Sequence, residues 1–479
     1  MMIISTMIRH QYRERLCLTR AGVPFFVFVA FTLALLPLIS QYSAFNGLPL
    51  SIQEAKAIKH KDSPPPQGPA SNEGNAIASS PSSQSNTASP GGCINYDPST
   101  RTITVSCNSA RLTDIDNKLH DSSILAKQSP AGTWFLSAKL VISKGATFHI
   151  DSTDTKWLKM NSKVDRSGGP KIGLVYIIDV FGSLKIDLVK ITSWDPTTNK
   201  YAITNGSRTG SGIFIFGAPR PSIVVENNAT GTTDITNSEI AYLGYEQGKH
   251  KGGSGLSYYY GGDGSVIRNN IIREVYFGLY TFGVGHMIVE NNIIRNSGHY
   301  GLDPHTGTHD MIIRNNTVYD NNGSGIICSL NCYNILIENN KVHGNAGDGI
   351  VFSRNMYNSI VRNNIIYNEP TGISVSQSHN NQIYNNTISK SGNGIQVGSG
   401  SSNNKIFGNT IANSISQAIL INNGSSGNTF SSNKIVSSTP QGLKIEQDAT
   451  SKNNIFSNNE VIHSSMTATA KTSAVNQAR

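Results

Sequence analysis

Three consecutive runs of 24 residues decide the fold: NIIRNSGHYGLDPHTGTHDMIIRN (292–315), NTVYDNNGSGIICSLNCYNILIEN (316–339) and NKVHGNAGDGIVFSRNMYNSIVRN (340–363). Each opens on Asn and carries, nine residues on, a Gly followed by Leu or Ile. Outward from these runs the Asn recurs at Asn270, Asn364, Asn386, Asn409, Asn433 and Asn459, so that eight intervals span 189 residues at about 23.6 each. The Gly column keeps the same register through Gly255, Gly278, Gly301, Gly325, Gly349, Gly372 and Gly394 to Ala418 and Gly442, and the next residue is always apolar, from Leu256 to Leu443. A unit this short has no room for a helix. It reads as short strands parted by polar turns, and stacking equivalent strands turns the apolar column into a continuous core. The prediction is an all-β, right-handed parallel β-helix with coils about 4.8 Å apart. The Asn column then forms a ladder of amides that satisfy one another and the turn backbone.

The rest of the chain is consistent with this. Of the 479 residues 14% are charged, 37% hydrophobic and 45 are Gly, which excludes coiled coils, disordered chains and multi-span membrane proteins. The net charge of +9 is uneven: residues 1–209 hold 22 Lys/Arg against 14 Asp/Glu, and residues 210–465 hold 15 against 16. The repeat region is therefore no nucleic-acid surface. Residues 1–20 are basic and residues 21–40 form an uncharged apolar run, as in a signal peptide or signal anchor. Residues 41–92 are a Ser/Pro/Asn/Gly linker too poor in apolar groups to fold. The protein is expected outside the cell, secreted or membrane-anchored, as a monomer. Cys93/Cys107 and Cys328/Cys332 are two pairs open to oxidation there. Residues 93–130, with helix-like Leu112–Leu125, are the expected cap; 131–462 form the solenoid and 463–479 a tail. About ten extra residues near Tyr245–Gly253 must protrude as a loop.

If the residue after each Gly points inward, the second and fourth positions beyond that Gly point outward. Most coils put small or apolar groups there. One presents Asp303 and His305, preceded by coils carrying Tyr259, Tyr280 and Phe282, rings suited to stacking on sugars. In Tyr300-Gly301-Leu302-Asp303-Pro304-His305, the imidazole can act as a base, the carboxylate can orient it, and Tyr300 can exchange a proton. Pro304 removes a ladder donor, a local cost consistent with strain at a functional position.

Tyr-Gly-x-Asp-Pro-His at the start of a coil resembles the active-site motif of the mannuronan C-5 epimerases, and the likeness continues from His309 through Tyr319. The resemblance implies an exported isomerase acting on a mannuronate-like, anionic polysaccharide. His305 would abstract the carbon 5 proton, Tyr300 would handle it on the opposite face, and Asp303 would support the pair. Bacterial periplasmic members of that family place an arginine one coil after the motif. The matching position here is Leu330, and Arg354 stands one coil further on, with Lys249, His250 and Lys251 of the inserted loop as other cations for the substrate carboxylate. Tyr259, Tyr280, Phe282, Lys249, Lys251 and His309 are the expected substrate contacts. A polysaccharide lyase or a non-catalytic carbohydrate-binding solenoid are the alternatives. Gly261-Gly262-Asp263-Gly264 admits a structural calcium ion but reads more simply as a turn. No other cofactor or metal is expected, because His286, His299 and His309 lack ligand spacing.

Overall fold

The computed structural model describes residues 92–162, 176–203, 220–245 and 253–464. The readings made for residues 1–40, for the linker up to residue 91, for Lys249, His250 and Lys251, and for the tail beyond residue 464 lie outside them. No helix among the described residues is long and apolar enough to cross a membrane.

Each coil contributes one strand to each of three sheets, of 14, 12 and 14 strands, in which neighbours are successive coils. In the coil of the motif, Leu302–His305 lies in the first sheet, Ile312–Arg314 in the second and Thr317–Tyr319 in the third. These strands pair in parallel with those of the coils before and after. The apolar column Leu256, Leu279, Leu302, Ile326, Ile350, Ile373, Ile395 and Ile419 is buried as a stack. The Gly column has a steric cause at the corner between the third and first sheets: a Cβ at Gly301 would stand 2.5 Å from the carbonyl oxygen of Gly325. Only glycine lets the coils approach that closely.

The Asn column is a ladder in fact. From Asn270 to Asn459 each Nδ2 donates to the Oδ1 of the next Asn at 2.9–3.0 Å, and it also donates to a buried carbonyl such as that of Val289. Two shorter ladders stand at other corners: Asn381–Asn404–Asn428–Asn454 and Asn321–Asn345–Glu369.

At the N-terminal end Cys93 and Cys107 are disulfide-bonded, and the helix Leu112–Leu119 buries Leu112 and Ile115 over the first coil. That helix is shorter than the stretch to Leu125. His120 ends it in a left-handed conformation, and Leu125–Gln128 is a strand. Of the two states open to Cys328 and Cys332, buried thiols or a short-range disulfide, the structure holds free, buried thiols; Cys328 packs inward, while Cys332 lies beyond the left-handed residues Leu330 and Asn331 and donates to the Ser329 carbonyl. One further expectation is corrected. In the last coils a short 3₁₀ turn, Gln441–Leu443, displaces the register, so that Ile445 rather than Leu443 pairs with Ile419.

Candidate active site

The outer face of the first sheet forms a trough. Along its floor Tyr280 pairs with Asp303 and Phe282 with His305, and Tyr259 pairs with Phe282. Their rings are in contact: Tyr259–Tyr280 centroids are 5.7 Å apart, Tyr280–His305 5.6 Å and Phe282–His305 6.1 Å. Phe277 and His299, stacked at 5.1 Å, stand with Tyr300 along one edge. The alternation read from the repeat thus delivers Asp303, His305 and the aromatic residues to one surface.

Pro304 disturbs the ladder at this point. Towards the next strand, Ile326–Ser329, partners are kept only for Leu302 and His305. Just beyond, Thr306 is held at φ 36°, a left-handed conformation that a β-branched residue adopts only under strain. Its hydroxyl lies 2.6 Å from His305 Nδ1. The imidazole is therefore oriented by Thr306, and no hydrogen bond joins it to Asp303. The supporting role expected of Asp303 changes accordingly. Its carboxyl is buried with Oδ1 unpartnered, and burial raises its pKa well above the usual carboxylate range, against the opposing pull of Arg354.

Arg354 follows strand Ile350–Ser353 in a left-handed conformation (φ 60°) and reaches back one coil, its Nη2 donating to Ser329 Oγ at 3.1 Å. Its charge acts on Tyr280, Tyr300, Asp303 and His305 together. Leu330 itself carries no charge, and the guanidinium beside the motif comes from the following coil. Burial, reinforced by Arg354, lowers the His305 pKa to about 4, so the imidazole is neutral at pH 7. Burial and the Asp303 charge raise the pKa of Tyr300, keeping the phenol protonated. A neutral imidazole, a protonated phenol, a buried carboxyl whose pKa is raised and a guanidinium thus meet in one trough walled by aromatic rings.

Tyr245 and Gly253, which flank the insertion, are joined by the Tyr245 N–H donating to the Gly253 carbonyl at 2.7 Å, and buried Arg220 donates to the carbonyls of Gly244, Leu243 and Glu274. Asp348, in the column of Tyr300 two coils on, also borders the trough, where burial raises its pKa against the opposing pull of Thr371 and Ser374; sequence reasoning missed it, although the residue before each Gly could have been read as a third column. His309 lies elsewhere, at the turn from first to second sheet, stacked on Tyr333 at 5.0 Å. With Asp310 and His286 of the preceding coil it forms a group whose donor atoms all lie within 4.8 Å of one another. Spacing along the sequence hides this group because its histidines are one coil apart. Asp263 Oδ1 accepts from the Gly285 N–H at 3.0 Å, so the glycine-rich segment is a turn tied to the next coil.

Solved structures share this architecture. The periplasmic alginate epimerase AlgG matches with a TM-score of 0.63 and 22% identity over 75% of this chain and 85% of that one, and a mutant of the same protein matches equally. The A-module of the Azotobacter vinelandii mannuronan C-5 epimerase AlgE6 matches at 15% identity over 70% of this chain and 88% of that one, with a TM-score of 0.36. The AlgG likeness establishes the fold. A family model described as periplasmic copper-binding protein (NosD) matches residues 193–418 and 371–477. No curated protein sequence matches the chain.

Proposed function

The chain belongs to the NosD family, described as periplasmic copper-binding proteins, and we propose that its solenoid is an exported enzyme that inverts carbon 5 of a uronate residue in a polysaccharide. A β-helix leaves its chemistry to the site it carries. One observation carries the reading: Asp303, a buried carboxyl with an unpartnered oxygen, lies together with Arg354, Tyr300 and the neutral imidazole of His305. The hydrogen on carbon 5 is adjacent to a carboxylate, and its removal as a proton places a second negative charge on that group. Arg354 is a donor for that charge, and the protonated form of the buried Asp303 carboxyl, which burial favours, is a second. His305 accepts the proton, and the phenol of Tyr300 returns one to the other face. Tyr259, Tyr280 and Phe282 offer rings for the neighbouring sugars. The same fold serves alginate epimerisation in AlgG. Export through residues 21–40, as a secreted or anchored monomer, belongs to the same proposal.

Incubating the full chain with uronate polymers in deuterated water tests it. Deuterium at carbon 5, read by NMR, without new ultraviolet absorbance is the expected result. Absorbance from an unsaturated sugar would identify β-elimination, a lyase. Retained binding with no exchange would identify a binding solenoid.

The His286, His309 and Asp310 group favours a second reading beside the first, the holding of a transition-metal ion. Two imidazoles and a carboxylate suit Cu²⁺ or Zn²⁺. The repeat supplies mild substitutions, since the equivalent positions of the next coil are Tyr333 and Asn334. One Cu²⁺ per chain with nitrogen hyperfine structure in its EPR spectrum is expected, and it is lost in His286→Asn with His309→Tyr. An unchanged spectrum in that variant would exclude the group.

A further inference from the structure

The trough continues from the reacting centre over the coils between Ser324 and Ile421, all described residues, and what lines it there bears on the substrate. Along the floor run Ile327, Val351, Ser374, Gln396 and Leu420, each paired with the next. Beside them the column of Tyr300 continues as Ser324, Asp348, Thr371, Asn393 and Gln417. The side groups are hydroxyls, amides and aliphatic surface. Among these described residues Arg354 is the cation of the face, and it belongs to the reacting centre. Asp348 stands in the path as a carboxyl beside Thr371 and Ser374, its pKa raised by burial. One coil further, Glu446 accepts from Gln417 and pairs with Lys444.

Coils repeat at about 4.8 Å, a spacing close to that of successive pyranose units in an extended chain. A continuous polyuronate lying along the trough therefore brings a carboxylate to every coil. Binding such a chain calls for a basic group on coil after coil; this surface offers neutral hydrogen-bonding groups and an acid. We propose that the site acts on a uronate whose neighbours towards the C-terminal coils are uncharged sugars, so that the substrate is a heteropolysaccharide with separated uronates rather than a polyuronate. The proposal rests on the reading that the trough acts on a uronate. It adds which sugars accompany that uronate.

The test compares two probes on the full chain: polymannuronate, and a linear polymer of glucuronate alternating with N-acetylglucosamine. Equilibrium affinity and deuterium incorporation at carbon 5 are both measured. The expected result is at least tenfold higher affinity for the alternating polymer, with exchange on its uronates. In Asp348→Lys, affinity for polymannuronate rises at least tenfold. Asp348→Ser, which copies Ser324 of the column, gives a smaller rise in the same direction and serves should the lysine disturb folding. Equal or tighter binding of polymannuronate by the unaltered chain, unmoved by either substitution, would overturn the inference. Exchange on polymannuronate alongside that result would leave the epimerase reading standing. Preferential binding of the alternating polymer without exchange on either probe would retain the specificity and remove the chemistry; neither binding nor exchange on either probe would remove both.

Discussion

Thr306 ties backbone strain to chemistry. Its left-handed φ of 36° is unfavourable for a β-branched side chain, and its hydroxyl holds the ring of His305. Thr306→Gly is expected to raise unfolding free energy by about 1 kcal/mol while lowering turnover, because the imidazole loses its orienting partner; urea denaturation and kinetics on the same preparation check both signs. His305 sets the acid limit of activity. Its pKa is lowered to about 4 by burial and then by Arg354. The acid limb of kcat/KM should lie near pH 4, well below the usual imidazole range. In Arg354→Met, loss of the positive charge moves the His305 pKa upward, and the imidazole resonances in an NMR titration report it. The motif made His305, Asp303 and Tyr300 legible in the sequence. The role of Asp303 was not, because burial and the Thr306 bond are properties of the folded corner rather than of residue order.

The ladders are the elements that set the coils in register. Asn316 Oδ1 accepts from the backbone N–H and the Nδ2 of Asn292, while its own Nδ2 donates to Asn340 and to Val289. Asn316→Ala strands several buried groups at once and should cost about 2–4 kcal/mol, whereas Asn459→Ala, at the partly buried end of the ladder, should cost much less. Urea midpoints distinguish them. Glu369 replaces Asn in a shorter ladder, and burial raises its pKa to about 8. The folded state thus binds a proton that the unfolded state has released above its ordinary value near 4.5. This contribution to stability is full below that value and is lost as pH rises through about 8. Glu369→Gln, which keeps the ladder acceptor, should flatten the fall in thermal midpoint between about pH 5 and 8. Period and columns made the long ladder legible from residue order alone. The register change at Leu443 was hidden, because a 3₁₀ turn inserts two residues without breaking the apolar pattern.

Across the whole molecule the solenoid is closed at one end by a covalently braced cap. The disulfide spans 14 residues, and its reduction should lower stability by about 3 kcal/mol, seen as a shift in the denaturation midpoint on adding reductant. Stacking also explains what sequence order concealed and what its columns revealed. His286 and His309 become neighbours only when coils are superposed. Arg354 was legible from the columns as a cation one coil on, and it meets the motif by reaching back from the turn that follows its own strand. The lining beyond the candidate site, poor in cations, emerges only when columns are read down the trough.

Crystallisation of the His305→Ala chain with a uronate-containing oligosaccharide tests the central claim most directly. The predicted result places a sugar carboxylate within hydrogen-bonding distance of both Arg354 and Asp303, with carbon 5 facing the vacated imidazole position and Tyr300 on the opposite side. An oligosaccharide bound away from the first sheet, or with its carboxylate turned from Arg354 and Asp303, would contradict it.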